Sequence, residues 1–387
     1  MTYTENLIGK SIAEMLGHVP HPGEFVAQEL DARGWMQRDL AYILGVPEGA
    51  VNLIISGKRG ISPEMAKALG DAFDVSPMFF SNMQNAYEMS RARSPDPAIA
   101  KRALFQGAYP VREMIKRGWL SDTDVPLLEG QLMRFFRRNS IDSVPYLAHA
   151  AKKKDYTETS PAQLAWLFRV RQICEEMPVA PYSESALKDA VANVLPRYMM
   201  DPEELRHVPR VLAECGVRFA IVETLPKALI DGVCFWLDRK SPVIGMTTRF
   251  DRIDNFWFVL RHEIEHVLNG DGKGQSEEDI TVDVCLDSVI SGALPPEEVK
   301  ANAAAQGFCV PTAELDSFVM RKAPFISEKD VIGFSRRIGR HPGIVVGQIQ
   351  RRIDRPEWLN KLKVKVRQHI APSSVVDGWG VPAPVSL

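Results

Sequence analysis

Two histidines stand four residues apart in the motif HEIEH, at residues 262–266. The surrounding segment, 256–268, is largely apolar, has helical spacing and contains neither proline nor glycine. Because positions four apart share one face of a helix, His262 and His266 would point their imidazoles at one spot, with Glu263 beside it. Imidazoles are zinc ligands, and a neighbouring carboxylate can take a proton from the attacking water. The motif therefore predicts a hydrolytic zinc site, with Mn²⁺ as the alternative metal.

A tetrahedral zinc site that keeps one water needs a third protein ligand, which should lie on a later helix. A Pro-Pro pair opens such a helix, on which Glu298 and Asn302 share a face. We expect Glu298 to bind the metal and Asn302 to hydrogen-bond a ligand histidine. Asp279 and Asp283, in an acidic segment nearer the histidines, are the alternative ligands. A site without a third protein ligand is the remaining interpretation.

Two further interpretations of the same residues do not involve catalysis. The helix at 256–268 could be a core helix that buries both histidines, but two histidines and a glutamate on one face are costly to bury without a partner. The domain could also bind a metal ion without turning over a substrate. A regulator that uses such a domain to sense a ligand or a partner would belong to this class.

The N-terminal part of the chain is divided into short segments by helix start and stop signals. Glycines end the first three segments, and a Ser-Pro pair opens each of the last two. The sequence predicts five helices, over residues 22–33, 37–44, 47–56, 63–73 and from 77 onwards. Two short helices joined by a glycine-containing turn, with three more around them, are typical of a helix-turn-helix domain.

In such a domain the third helix enters the major groove of DNA, and side chains near its N-terminus meet base edges. We therefore expect three residues to contact bases, namely Glu48, Gly49 and Asn52. The start of the second helix and the loop after the third should lie near phosphates. The residues expected there are Gln37, Arg38, Lys58 and Arg59.

The charge of this segment argues against strong DNA binding by a single copy. Residues 21–90 hold five basic and nine acidic side chains, whereas phosphate attraction is the main non-specific contribution to DNA affinity. A homodimer would double the contacts, so we expect a dimer on a double-stranded DNA operator. The alternative is a five-helix domain that makes protein contacts only.

Four motifs in the N-terminal segment carry a resemblance to a known family. They are HPGEF at 21–25, LGV at 44–46, VNxxxxGKR at 51–59 and ISPEMA at 61–66. With these motifs the segment resembles the HigA-type antitoxins of the XRE-like helix-turn-helix group. The resemblance implies an operator as the DNA partner and, for an antitoxin, a cognate toxin as the protein partner.

A second resemblance lies in the C-terminal part, at about 205–350. Its motifs are FWFxLxHExxH at 256–266, ExxAN at 298–302, CVP at 309–311 and HPGIVVG at 341–347. These motifs resemble the ImmA/IrrE metallopeptidases, which are gluzincin-like zinc endopeptidases, some of which cleave a helix-turn-helix repressor. The resemblance implies His262, His266 and Glu298 as metal ligands and Glu263 as the general base.

Two residues in this part, Lys300 and His341, each have two possible roles. Lys300 stands where the family often has a glutamate, within a turn of Glu298. It would weaken the metal site unless it faces solvent. His341 could stabilise an oxyanion, but its place in HPGIVVG favours a structural role in a turn.

The composition fits a soluble protein of two or three domains. The chain has 387 residues, of which 45% are hydrophobic and 25% charged, with a formal net charge of −2. It has neither the roughly 20 uninterrupted apolar residues of a membrane helix nor a signal-like N-terminus. Its five scattered cysteines form no Cys-x-x-Cys pair and predict reduced thiols. We therefore expect a cytoplasmic protein.

We predict an α+β, mostly helical fold with a five-helix DNA-binding domain and a small-sheet zincin-like domain. Three strands are expected before the histidine helix, at 217–222, 232–237 and 242–247. The third, if it borders the cleft, could pair with an extended peptide by strand addition. The expected divisions are a helix-turn-helix domain at 15–92, a helical linker or dimerisation region at 93–204, a metallopeptidase domain at 205–350 and a C-terminal extension at 351–387.

Overall fold

A computed structural model describes residues 19–138, 160–273, 283–284 and 295–377. The chain forms two compact units, Met1–Asp96 and Pro97–Leu387. The finer division of the second unit into a linker, a peptidase domain and an extension stays a prediction. Within the described residues, no helix is both long enough and apolar enough to cross a membrane.

Five helices form the described part of the first unit, residues 19–96, and their bounds agree with the sequence prediction to within one residue. They are α1 (Pro22–Arg33), α2 (Gln37–Leu44), α3 (Glu48–Ile55), α4 (Pro63–Phe73) and α5 (Pro77–Arg91). Ser62 and Ser76, which cap α4 and α5, each accept a hydrogen bond from a backbone N–H of the first turn. The apolar faces of the five helices meet in one core, which includes Leu40, Val51, Ile54, Phe73 and Phe80.

The second unit combines twelve described helices with one sheet. Its α-helices are α6 (Pro97–Ala108), α7 (Val111–Lys116), α8 (Val125–Phe135), α9 (Pro161–Glu175), α10 (Glu184–Asp189), α11 (Val208–Glu214), α12 (Ile253–Asn269), α13 (Pro296–Cys309), α14 (Thr312–Lys322), α15 (Glu328–Ile338), α16 (Pro342–Ile353) and α17 (Arg367–Ile370). Short 3₁₀ or π turns lie at Ala190–Val194, Leu195–Tyr198, Pro202–His207, Asn360–Leu362 and Ala371–Ser373.

Among the residues that the structure describes, the sheet contains the three predicted strands and two further ones. They are β1 (Arg218–Val222), β2 (Ile230–Trp236), β3 (Pro242–Met246), β4 (Asp283–Val284) and β5 (Val375–Asp377). Their order is β4-β2-β3-β1-β5, with β1 parallel to β3 and β5, and β2 antiparallel to β3 and β4. The expectation that β3 pairs with an extended peptide is wrong, because β1 and β2 already hydrogen-bond to both of its edges.

Strands β1, β2 and β3 are buried on both faces of the sheet, and alternate residues of β1 belong to different cores. Phe219 and Ile221 join the core that contains α12, whereas Ala220 and Val222 join the core that contains α9. A sheet that is apolar on both faces needs cover on both sides. Helix α9 covers the second face, where the indole N–H of Trp166 donates to the carbonyl of Val222 at 2.8 Å.

The last described strand, β5, ties the C-terminal segment to the same sheet. Asp377 in β5 is fully buried and forms an ion pair with Arg169 of α9. Its carboxylate also accepts a hydrogen bond from the indole N–H of Trp119 at 3.2 Å. Segments on either side of the predicted peptidase domain in the sequence therefore pack around its sheet.

Candidate functional site

The helix that carries both histidines, α12, is buried along most of its length. It packs against α13, which carries Glu298 in its first turn. The relative exposures of His262, His266 and Glu298 are 1%, 5% and 9%. The structure thus brings together the three residues that the sequence predicts as metal ligands.

The spacing of the three side chains suits a small metal ion. Nε2 of His262 lies 3.1 Å from Nε2 of His266 and 3.3 Å from Oε2 of Glu298. Nε2 of His266 lies 3.7 Å from Oε1 of Glu298. Ligands bound at about 2.0–2.1 Å to a tetrahedral ion stand about 3.3 Å apart. The donor set therefore fits Zn²⁺, and metal binding itself stays a prediction.

Glu263, the predicted base, packs directly against strand β2 and is 1% exposed. A Cβ atom added at Gly232 of β2 would stand 2.4 Å from Oε1 of Glu263 and 2.8 Å from Cγ1 of Val259. Only glycine allows the strand to approach α12 so closely. Strand β2 therefore limits the positions that the Glu263 carboxylate can take.

The orientation of His266 depends on Asp271, a residue that sequence reasoning missed. Helix α12 is closed by Gly270, whose left-handed backbone lets two N–H groups bond back to the carbonyls of Val267 and His266. This turn brings a carboxylate oxygen of Asp271 to 2.8 Å from Nδ1 of His266. A proton held on Nδ1 puts the lone pair of His266 on Nε2, the atom that faces the other two predicted ligands.

Asn302, which the sequence predicts to hydrogen-bond a ligand histidine, is half-exposed on α13. Within the described part of the chain, no hydrogen bond joins its side chain to His262 or His266. The structure gives that contact to Asp271, because the turn that ends α12 returns directly beneath His266.

Lys300 faces away from the predicted ligands. Its side chain is 62% exposed, and its ammonium group lies 3.6 Å from a carboxylate oxygen of Glu265. It also hydrogen-bonds the side chain of Asn269. Arg261 pairs with the same Glu265 at 2.7 Å, so Lys300 belongs to a group of charged residues that does not include the predicted ligands. Of the two outcomes expected for Lys300, the structure supports the solvent-facing one.

Two alternative metal ligands and one possible oxyanion stabiliser remain from the sequence prediction. Asp279 lies outside the described residues, and Asp283 is described only as part of strand β4. His341 caps α16, where its Nδ1 accepts a hydrogen bond from the N–H of Gly343 at 3.1 Å. Burial lowers the pKa of His341, which favours this neutral accepting form. Its position agrees with a structural role at a helix start.

The predicted DNA-contacting residues of the first unit are accessible. Six of them are exposed, namely Arg38, Glu48, Gly49, Asn52, Lys58 and Arg59, and Gln37 is half-exposed. The N–H groups of Lys58 and Arg59 both donate to the carbonyl of Leu53, at 2.9 and 3.0 Å. These bonds hold the basic loop against the end of α3.

Tyr42 was missed by sequence reasoning as a surface residue of the same region. It follows Arg38 by four positions on α2, so the two side chains share a face, and it is 89% exposed. A large exposed aromatic ring beside an arginine can contact either a DNA backbone or a partner protein.

Comparison with known proteins bears on the first unit. Residues 26–80 match the family model described as Helix-turn-helix. These residues form a helix-turn-helix domain. In it α2 and α3 are the two short helices of the motif, joined at Gly45, which has a left-handed backbone.

Two curated proteins are similar to parts of the chain. Virulence-associated protein A′ of Dichelobacter nodosus is 41% identical over 73 residues, which are 19% of this chain and 64% of that protein. The chain therefore spans just under two thirds of the length of that relative. The uncharacterized HTH-type transcriptional regulator YddM of Escherichia coli (strain K12) is 29% identical over 94 residues, which are 24% of this chain and 99% of that protein.

One solved structure is also similar. It is an addiction module antidote protein of a HigA family from Coxiella burnetii, with 28% sequence identity and a TM-score of 0.19. The match covers 23% of this chain and 94% of that one. Because these matches cover at most a quarter of the chain, the interpretation of the histidine site rests on its own geometry.

Proposed function

We propose that the chain is a DNA-binding regulator whose second unit is a zinc-dependent endopeptidase that cleaves a repressor or a toxin-antitoxin protein. The observation that carries this proposal is the convergence of His262, His266 and Glu298, with Glu263 next in the chain to the first histidine. Two histidines and a glutamate are an unfavourable group to pack in an apolar core but a suitable ligand set for Zn²⁺.

Each residue of the site would have its own role in peptide hydrolysis. Zinc held by the three ligands would supply a Lewis acid. Glu263 would take a proton from the attacking water and pass it to the nitrogen of the leaving amine. Asp271 would keep the proton on Nδ1 of His266 and fix the orientation of that imidazole. Gly232 would let β2 hold the Glu263 carboxylate in place.

The helix-turn-helix domain would direct the protein to a double-stranded operator. Glu48, Gly49 and Asn52 would meet base edges, while the basic loop after α3 would contact phosphates. The similarity to an HTH-type transcriptional regulator supports this part of the proposal. The excess of acidic over basic side chains in residues 21–90 favours binding as a homodimer.

A second candidate function is regulation without proteolysis. His262 and Glu263 are each only 1% exposed, so a peptide reaches them only if the surroundings of α12 rearrange. A helix-turn-helix repressor or antitoxin that senses a ligand or binds a partner would need no such access. In that case metal binding would serve stability or sensing.

The first experiment is the metal content of the purified full chain, compared with the His262→Ala and Glu298→Ala variants. The proposal expects about one Zn²⁺ per wild-type chain and large losses in both variants. Metal retained by Glu298→Ala would remove Glu298 from the ligand set. A wild-type chain that takes up no added zinc would remove the metal site.

The second experiment separates catalysis from binding. The wild type and Glu263→Gln are incubated with helix-turn-helix repressors and antitoxins encoded near its gene, and the products are measured by mass spectrometry. The proposal expects cleavage by the wild type, and loss of cleavage with zinc retained in Glu263→Gln. Zinc binding without cleavage of any of these proteins would favour the non-proteolytic regulator.

A further inference from the structure

A cavity of about 600 Å³ opens at one end of the sheet, and none of the predicted metal ligands lines it. It lies between the start of β1, the turn that joins β2 to β3, the segment before α10 and the loop after α12. The lining residues that carry polar or aromatic groups are Tyr182, Arg218, Arg239, Lys240, Ser241 and Lys273.

The charge of this cavity is its main chemical feature. Four lining side chains are cationic, and no acidic residue is among the described residues that line it. Within the same described set, none of the four cations forms a salt bridge. Asp238 directly precedes the three lining residues of the turn, and its carboxylate accepts hydrogen bonds from the N–H of Lys240 at 2.7 Å and from the hydroxyl of Ser241 at 3.0 Å. These bonds lower the pKa of Asp238 and hold the turn.

The opposite wall of the cavity is also held by hydrogen bonds. The N–H groups of Ala180 and Ser183 donate to the carbonyls of Ala213 and Cys215, at 3.0 and 3.1 Å. Tyr182 lies between these two anchors, and burial raises its pKa to about 12. Its hydroxyl therefore stays protonated at neutral pH and can donate to an anion. These hydrogen bonds fix the backbone that carries the lining side chains, which reduces the part of the site that must be ordered on binding.

We propose that this cavity binds a small molecule through a phosphate group, and that its occupancy tightens metal binding at the histidine site. Among protein side chains, the guanidinium group of arginine and the ammonium group of lysine bind phosphate best. The phosphate-binding part of the proposal is independent of peptidase activity, whereas the coupling rests on the proposed metal site.

The route between the two sites passes through Trp236, the last residue of β2. Its ring makes an edge contact with Tyr182, with centroids 5.3 Å apart, and the ammonium group of Lys273 lies 4.9 Å from its centroid. Its indole N–H donates to the backbone carbonyl of Asp271 at 3.0 Å, while the Asp271 carboxylate contacts His266 at 2.8 Å.

Binding in the cavity therefore selects one arrangement of the loop after α12. Lys273 lines the cavity in the same conformation in which Asp271 contacts His266. A phosphate that binds Lys273 in this position stabilises that conformation, in which His266 is oriented for metal. By reciprocity, zinc must raise the affinity for phosphate by the same factor.

The binding test uses isothermal titration of the metal-free full chain with inorganic phosphate. We expect saturable binding that Lys240→Glu and Arg218→Gln weaken by about tenfold or more, because each removes a charged donor. Lys329→Glu, which makes the same charge change at an exposed position of α15, should alter the affinity less than about twofold. Absence of saturable binding, an equal loss in Lys329→Glu, or displacement by random-sequence DNA would overturn the small-molecule site.

The coupling test measures Zn²⁺ affinity by competition with a chromophoric chelator, with and without phosphate. We expect phosphate to tighten zinc binding about fivefold or more in the wild type. Trp236→Phe keeps a ring but removes the hydrogen bond to Asp271, so it should bind phosphate while losing most of this effect. Unchanged zinc affinity in the wild type would overturn the coupling. A chain that binds phosphate but no zinc at all would instead refute the proposed metal site.

Discussion

A carboxylate oxygen of Asp271 lies 2.8 Å from Nδ1 of His266, at the point where α12 ends. The contact depends on the backbone turn at Gly270 and joins a predicted metal ligand to the loop that follows its helix. In zinc sites a partner of this kind fixes both the tautomer and the orientation of the ligand imidazole. Asp271 is therefore expected to affect metal affinity without touching the metal.

Replacement of Asp271 by alanine should weaken Zn²⁺ binding by about 10- to 100-fold, the usual effect of losing such a partner. The turn itself should persist, because it is formed by backbone hydrogen bonds and Gly270. Competition with a chromophoric chelator measures the change. Asn302→Ala is the matched control and should change the affinity less than about twofold, since Asn302 is half-exposed and, among the described residues, its side chain forms no hydrogen bond with either histidine. Equal effects of the two substitutions would contradict the assignment.

Gly232→Ala should displace the Glu263 carboxylate. The added Cβ would stand 2.4 Å from Oε1 of Glu263, so either the side chain or strand β2 must shift. We expect a loss of about 1–3 kcal/mol in the free energy of unfolding, measured with urea, together with reduced peptide cleavage at unchanged zinc content.

The control for this substitution is Gly307→Ala on α13. A Cβ atom at Gly307 would meet nothing within 4 Å, so alanine should leave the stability unchanged or raise it by about 0.5–1 kcal/mol. If Gly232→Ala behaved in the same way, the close contact between β2 and Glu263 would be refuted.

The first unit should lose stability in mild acid because of His21. Nδ1 of His21 accepts a hydrogen bond from the N–H of Gly23 at 2.9 Å and so caps α1 in the neutral form. The pKa of His21 lies below its usual value of 6.5, mainly because burial disfavours the charged imidazole. The unfolded chain therefore takes up the proton first, so this stabilisation is complete above about pH 6.5 and is lost as the pH falls through the folded pKa.

Hydrogen exchange of peptides from residues 21–33 can test this prediction in the full chain. Exchange should accelerate in the wild type as the pH is lowered from about 7.5 to 5.5, after correction for the intrinsic rate. His21→Ala should lose about 1 kcal/mol of protection at the higher pH and show a weaker pH dependence. A variant with the same pH dependence as the wild type would rule out His21 as the cause.

The parts of the fold that were predicted correctly are those set by nearby residues. The five helices of the first unit follow from glycine stops and Ser-Pro starts, which act within one turn. The pairing of His262 with His266 follows from helical spacing. Glu298 required both a shared helix face and a family resemblance, because no local rule brings α13 onto α12.

The parts that were not predicted depend on contacts distant in sequence. The apolar run of β1 indicates a strand buried on both faces, but it does not show that α9 covers the second face. Nor does it show that Val375–Asp377 extends the sheet. Asp271 was missed because its contact with His266 appears only once the turn at Gly270 is formed.

The last prediction concerns DNA recognition and separates base contacts from phosphate contacts. Binding sites are first selected from a random DNA pool with the wild type. Asn52→Ala, on the exposed face of α3, should then cost about 1–3 kcal/mol on the selected site and little on random DNA, because base edges carry the sequence information. Lys58→Ala should weaken binding to the selected site and to random DNA, because it removes a phosphate contact. The slope of the logarithm of the binding constant against the logarithm of the salt concentration should become shallower by about one.

Lys67→Ala, a control with the same charge loss on α4, should change neither the affinity for the two DNAs nor this slope. If Asn52→Ala and Lys58→Ala weakened specific and random binding equally, α3 would not be the base-reading helix.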